Sequence, residues 1–306
     1  GALPDLLETL TDMLLTPRFD DQALARERTN LAQERDGASP PIRLEDAAAA
    51  LAWGNHPLGR PLTGIPKDLE GLKAPELQAY RHSLMQGRRL VVVAAGAVDH
   101  DRLLTACGAL ESLPTGRPPS SAAPHFHPGH HRRSQNSGQT RLRWAWPVAP
   151  AADTQGPALE LACHCLGGGP SARLHQQLVV QRGLAYRVDS WLERYGDWGL
   201  WWLEVDCPTN RTGACQRLVT ETLEELAAQG PGGEELTAAR RRRIAQLLLE
   251  ADDPRSTLER LAREAIYRNR VQRIELPLFE LEQVDGEQVR AQLARLGEGL
   301  MVEWAL

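Results

Sequence analysis

The sequence predicts an α+β protein with two domains, on three observations. Its 306 residues suffice for two domains at about 100–200 residues each. Residues 114–138 are rich in Pro, Ser, Gly and His and hold almost no large apolar side chains, which is typical of a linker. On both sides of this segment, strand patterns are separated by several successive helices, which argues against a doubly wound parallel sheet. The predicted domains are therefore residues 1–113 and 139–306.

The first domain is predicted to be mainly helical. Leu6, Leu7, Leu10 and Leu14 recur at helical spacing, and Pro17 ends that helix. The continuous apolar run at 89–95 predicts a strand. The other predicted elements are helices over 24–35, 47–53, 75–85 and 99–110.

The second domain begins with a strand that alternates between two kinds of side chain. Leu142, Trp144 and Trp146 alternate with more polar or smaller neighbours, so we expect a strand with one buried face. The other predicted strands cover 185–194, 199–207 and 300–304, and the predicted helices cover 157–166, 171–181, 212–228, 234–251, 255–267 and 286–295.

Composition excludes several classes of protein. The formal net charge of −5 argues against a broadly basic nucleic-acid binder. No run approaches the ~18 apolar residues that a membrane span needs. Five cysteines, an odd number without regular spacing, do not indicate a disulfide scaffold. Composition leaves the cellular compartment open.

Four local motifs contain residue types that bind ligands, but each has a simpler interpretation. Cys163-His164-Cys165 lies in a predicted apolar helix, which favours buried thiols over a metal site. The glycines at 167–169 follow a helix and lack the Lys-Ser/Thr of a phosphate-binding loop, so we interpret them as a loop approached closely by another backbone. The arginines at 240–243 suit the end of a helix dipole. The histidines within 127–131 are separated by Pro and Gly, which prevents a helical metal-binding pair.

Three further residues are candidates for chemistry. Glu27 and Glu34 lie seven residues apart on a predicted helix and thus share one face, where one carboxylate would bind a metal and the other would support it. The flanking arginines make a solvated ion-pair surface the simpler alternative. Tyr186 leads into a predicted strand, where its hydroxyl is placed either to bond a substrate carbonyl or to serve a structural role.

These pieces occur in an order that resembles a known family. The chain is similar to the pitrilysin/insulinase family of zinc metallopeptidases, and most to its bacterial branch that is like mitochondrial processing peptidase. The similarity rests on MLLTPRF at 13–19, RER at 26–28 with QE at 33–34, HPLGRP at 56–61 with Gly64, VVVAAG at 91–96 with VDH at 98–100, LGGG at 166–169 with RL at 173–174, and RGLAY at 182–186.

The resemblance implies a fold, a cofactor and site residues. It implies two α+β lobes of the clamshell type, each with a mostly antiparallel sheet and several helices. In this family, zinc is bound by two histidines of an inverted His-x-x-Glu-His helix and by a later glutamate, and the glutamate within the motif is the general base. By this pattern, Glu34 matches the third zinc ligand and Glu27 its supporting carboxylate. Tyr186 matches a tyrosine that, together with an arginine seven residues earlier, steadies the substrate peptide.

Two departures from the family pattern matter. The His-x-x-Glu-His motif does not occur in the 306 residues, and its expected place is upstream of Gly1, which leaves the first lobe incomplete. Val179 occupies the position of the substrate-binding arginine, and Arg182 is too close to Tyr186 in sequence to replace it unchanged. We therefore expect the chain alone not to hydrolyse peptides.

Two functions follow from the resemblance. The first is the downstream part of a zinc metalloendopeptidase that binds extended peptides between its lobes and pairs with a homologous subunit. The alternative is a non-catalytic partner or scaffold subunit of a zinc peptidase heterodimer. Neither function involves nucleic acid, and either one fits a bacterial periplasm or cytoplasm.

Overall fold

The computed structural model of the chain describes residues 3–37, 40–117, 123–133 and 137–306, and its architecture is α+β. The described helices are α1 (Leu3–Leu15), α2 (Asp21–Asp36), α3 (Pro40–Trp53), α4 (Pro66–Gly71), α5 (Ala74–Leu84), α6 (His100–Ala106), α7 (Gly156–Leu166), α8 (Arg173–His175), α9 (Thr212–Gln229), α10 (Gly233–Asp252), α11 (Pro254–Arg268), α12 (Glu275–Gln283) and α13 (Gly286–Ala294). The described strands are β1 (Gly129–Arg133), β2 (Gln139–Pro147), β3 (Arg187–Arg194), β4 (Gly199–Pro208) and β5 (Leu300–Ala305).

The chain forms two compact units. Unit 1 lies within Gly1–Ala38 and Pro61–Ala122, and unit 2 within Ser39–Arg60 and Ala123–Leu306. Helix α3, which the sequence analysis places in the first domain, therefore belongs to unit 2. The described part of the chain contains no helix that is both long and apolar enough to cross a membrane.

Unit 1 is held together by arginine side chains that reach between its helices. Arg28 of α2 donates from Nε to the carbonyl of Leu69 at 3.0 Å and from Nη2 to the carbonyl of Leu72. Arg81 of α5 donates to the carbonyls of Leu14, at 3.1 Å from Nε, and Leu15, at 2.9 Å from Nη2. These bonds satisfy carbonyl groups at helix ends, which lack a partner within their own helix.

The strand predicted over 89–95 does not form. A short 3₁₀ turn covers Gly87–Arg89, and residues 90–95 follow without pairing to any strand in the described chain. Val91 and Val92 are exposed there. The apolar run indicates a tendency to be buried, but a strand also needs a neighbouring backbone to bond with.

Unit 2 is built on one five-stranded sheet with the strand order β1-β5-β2-β4-β3. Strands β1 and β5 are parallel, and the other neighbours are antiparallel. β1 lies inside the predicted linker 114–138, so that part of the linker prediction is wrong. β1 is an edge strand whose residues are mostly exposed, and it therefore lacks the alternating apolar pattern that marks a half-buried strand.

The sheet is covered on both faces. One core cluster, against α7, α9, α10 and α13, contains Trp144, Trp201 and Leu203, and a second cluster contains Ala145, Trp202 and the side chains of α3. The exposed face expected for β2 is therefore buried. Because α3 comes from about ninety residues earlier, the alternation within β2 does not reveal it.

Most of the remaining elements match the prediction, with three differences. The short helix α4 is not among the predicted elements. Helix α12 is not either, because Pro277 interrupts its pattern. The predicted helix over 171–181 is instead the single turn α8 followed by a π-helical segment over Gln176–Gln181.

Candidate functional site

Tyr186 lies immediately before β3, the strand at one edge of the sheet. Its backbone N–H donates to the carbonyl of Asp206 at 2.8 Å, which attaches it to β4. Its side chain is 60% exposed, although the two residues before it, Leu184 and Ala185, are buried. The backbone is thus fixed while the phenol remains available to a ligand.

The segment before Tyr186 contains an irregular helix. After the π-helical segment Gln176–Gln181, Arg182 is exposed and Gly183 adopts a positive φ of 56°, a conformation that favours glycine. Val179, at the position where the family has arginine, packs partly buried against the core of unit 2. Wide π turns are frequent at functional sites. Here the turn leaves one exposed cation, Arg182, in the connection that leads to Tyr186.

Glu27 and Glu34 lie on α2 in unit 1. The helix starts at an N-cap, where the side chain of Asp20 accepts from the backbone N–H of Ala23 at 2.7 Å, and it ends at Gly37. Both glutamates are exposed, and the carboxylate of Glu27 accepts from Asn30 Nδ2 at 3.4 Å. Their common helix face is as predicted, whereas their roles remain predictions.

The described residues do not form a zinc site by themselves. Protein zinc sites take three or four ligands from Cys, His, Asp and Glu. Across the ranges that the structure describes, no three such side chains are grouped to share a metal. Glu34 is thus one carboxylate without companion ligands, and we assign no zinc chemistry to these residues alone.

Comparison with known proteins decides the family. Residues 71–243, more than half of the chain, match the family described as "Peptidase M16 inactive domain". The chain belongs to the M16 (pitrilysin) family. This confirms the resemblance inferred from the ordered motifs.

The alignments with individual relatives extend over nearly the whole chain. An uncharacterized zinc protease of Mycobacterium tuberculosis is 30% identical over 301 residues, covering 94% of this chain and 68% of the relative. A probable mitochondrial-processing peptidase subunit beta of Schizosaccharomyces pombe is 24% identical over 317 residues, covering 96% of this chain and 68% of the relative. A solved peptidase M16 inactive domain from Pseudomonas fluorescens superposes with a TM-score of 0.83 at 19% identity, covering 97% of this chain and 74% of that one. The last comparison supports the α+β fold.

The M16 match covers one group of predicted site residues and not the other. It includes the glycine loop at 167–169 and Tyr186, but it begins after Glu27 and Glu34. The matched part is described as an inactive domain.

The structure shows what approaches the glycine loop. A Cβ on Gly168 would lie 2.7 Å from the backbone Cα of His164 and 2.8 Å from its Nδ1, and a Cβ on Gly169 would overlap the guanidinium group of Arg242. Gly168 is thus approached by the backbone of α7 as well as by a side chain, whereas Gly169 is approached by the side chain of Arg242. Three motifs that the sequence analysis treats separately, at 163–165, 167–169 and 240–243, thus meet at one place.

Proposed function

We propose that this M16 chain binds extended peptides as part of a zinc metallopeptidase, and that hydrolysis depends on a His-x-x-Glu-His motif that its 306 residues do not contain. The exposed Tyr186 at the start of an edge strand supports peptide binding most directly. The zinc protease names of its relatives support the enzyme class.

The edge of unit 2 has the geometry that peptide addition requires. β3 is the terminal strand, and in the described chain only β4 pairs with it. An extended peptide is able to add to such an edge through its own backbone hydrogen bonds. The phenol of Tyr186 would then donate a hydrogen bond to a peptide carbonyl near the start of the strand.

Replacing Tyr186 by Phe is expected to weaken peptide binding about three- to tenfold, the effect of losing one hydrogen bond. The measurement is fluorescence anisotropy of a fluorescein-labelled casein peptide titrated with the chain. Tyr80→Phe is the matched control, because Tyr80 is 65% exposed but lies in unit 1. Equal affinities for the Tyr186→Phe variant and the unaltered chain would refute the role of the phenol.

The zinc role of Glu34 is tested by metal analysis of the intact protein mixed with a polypeptide that carries the His-x-x-Glu-His motif. We expect about one zinc per assembled complex. Glu34→Gln should lower this content, whereas Glu70→Gln, another exposed glutamate on a helix of unit 1, should leave it unchanged.

The second candidate function is that of a non-catalytic subunit. Val179 in place of the arginine and the lack of a grouped ligand set in the described residues favour it. In that case Glu34→Gln leaves the zinc content of the assembly unchanged, and peptidase activity appears only after a homologous partner is added.

A further inference from the structure

Unit 2 contains a cavity of about 740 Å³ whose lining does not include Tyr186. It is lined by residues of α7, α10, α11, α12 and β3, together with Gly168 and Gly169 of the glycine loop. Its volume falls within the ~300–1,000 Å³ typical of sites for small organic ligands. The three motifs that meet at the glycine loop form one part of its wall.

Arg242 differs from the other arginines that line this cavity. Its Nε is buried and has no hydrogen-bond partner in the described part of the chain. Arg263 is exposed to solvent. Each of the remaining arginines donates to a carboxylate or carbonyl oxygen, namely Arg194, Arg243, Arg260 and Arg268. A guanidinium group stays charged at any physiological pH. Burying part of it without a hydrogen-bond acceptor therefore costs free energy of folding, and a bound anion would offset that cost.

His164 is a second polar group at this wall. Its Nδ1 is buried without a hydrogen bond of normal geometry in the described residues, and the backbone of Gly168 is a polar neighbour. Burial, reinforced by the charge of Arg243, lowers the pKa of His164 to about 4. The imidazole is thus neutral at pH 7. Of the two arginines beside it, Arg243 is paired with Glu160, and Arg242 has no carboxylate partner in the described residues.

The carboxylates of the cavity wall are mostly engaged elsewhere. Five of the six are in ion pairs with arginines, namely Glu160, Asp189, Glu250, Glu259 and Glu264. The sixth is Glu280. Oδ2 of Asp189 is buried and, beyond its ion pair with Arg187, accepts no regular hydrogen bond in the described residues. Apolar and aromatic side chains complete the lining, among them Trp191, Leu247, Tyr267 and Leu281. The wall therefore combines Arg242, whose buried Nε has no acceptor in the described residues, with surface suited to an apolar body.

We propose that this cavity binds a small organic anion whose carboxylate or phosphate group pairs with Arg242, with Nδ1 of His164 as a second polar contact. A side chain at Gly168 would clash with the Cα and Nδ1 of His164, and one at Gly169 would displace the guanidinium group of Arg242 from its present position. The cavity shares strand β3 with the proposed peptide edge, but Tyr186 does not line it.

The test is calorimetric titration of the full 306-residue chain with phenyl phosphate, phenylacetate and inorganic phosphate. Benzyl alcohol serves as the uncharged probe. We expect saturable binding of at least one aromatic anion, and the anion that binds identifies the head group. Arg242→Gln should weaken that binding about tenfold or more, the loss expected for a charge-assisted hydrogen bond. Arg241→Gln, an exposed neighbour on the same helix, should stay within about twofold.

Arg242→Lys keeps the charge but loses the planar fork, so its affinity should lie between those of the unaltered chain and Arg242→Gln. This variant also serves if Arg242→Gln does not fold, as judged by circular dichroism. Three results would overturn the proposal: unchanged affinity in both Arg242 variants, benzyl alcohol binding as tightly as the anions, or no binding of any probe up to about 10 mM.

Discussion

Replacing Glu204 by Gln should lower the free energy of unfolding of unit 2 by about 3–5 kcal/mol, because it leaves buried cations without their counter-ion. Glu204 is 4% exposed on β4. Its Oε2 accepts from Arg143 at 2.9 Å (Nε) and 2.5 Å (Nη2), and its Oε1 lies 3.2 Å from Nε of Arg141. Arg141 retains Asp206 as a partner in the variant, but Arg143 loses its main one.

Urea unfolding, monitored by tryptophan fluorescence, measures this effect in unit 2 alone, because all eight tryptophans lie in that unit. Glu221→Gln is the control, since Glu221 is an exposed residue of the same unit, and it should change stability by less than about 0.5 kcal/mol. A loss below about 1 kcal/mol for Glu204→Gln would mean that Arg143 finds another acceptor or water in the folded state.

Lowering the pH from 7 to about 4.5 should reduce the stability of unit 2 by about 2–3 kcal/mol through His164 alone. Burial is the main reason that the pKa of His164 lies near 4 in the folded chain, against about 6.5 in the unfolded one. As the pH falls through 6.5, the unfolded chain takes up a proton that the folded chain does not. The stability cost therefore develops between pH 6.5 and 4 and is absent above that window.

The pH effect is isolated by comparing the unaltered chain with His164→Gln at pH 7 and 4.5. The variant should lose less stability on acidification, because carboxylate titration is common to both proteins and cancels in the difference. His130→Gln, an exposed histidine on β1, should behave like the unaltered chain. If the His164 variant loses as much stability as the unaltered chain, His164 is protonated in the folded state.

Local patterns predicted most of the helices and the strands β2 to β5 within a few residues, because periodicity reports which side of an element is buried. The predictions failed for segments in which the apolar character of the side chains and the pairing of the backbone do not coincide. Residues 90–95 are apolar but unpaired in the described chain, whereas the exposed residues of β1 are paired with β5. Hydropathy alone does not distinguish these cases.

The candidate sites also differ in whether the sequence alone could reveal them. The position of Tyr186 beside a strand was predictable from RGLAY at 182–186, a short contiguous motif, whereas its role stays a prediction. The shared wall formed by His164, Gly169 and Arg242 was not, since nothing local relates residues on two different helices and a loop.

The sequence by itself determined the α+β class, the family and the absence of a His-x-x-Glu-His motif from these residues, because each depends on residue types in order along the chain. Only the tertiary structure decided that α3 covers the second face of the sheet, that Arg143 is consequently buried against Glu204, and that Arg242 borders a cavity. These features depend on contacts between segments far apart in the chain, and such contacts leave no periodic signal in either segment.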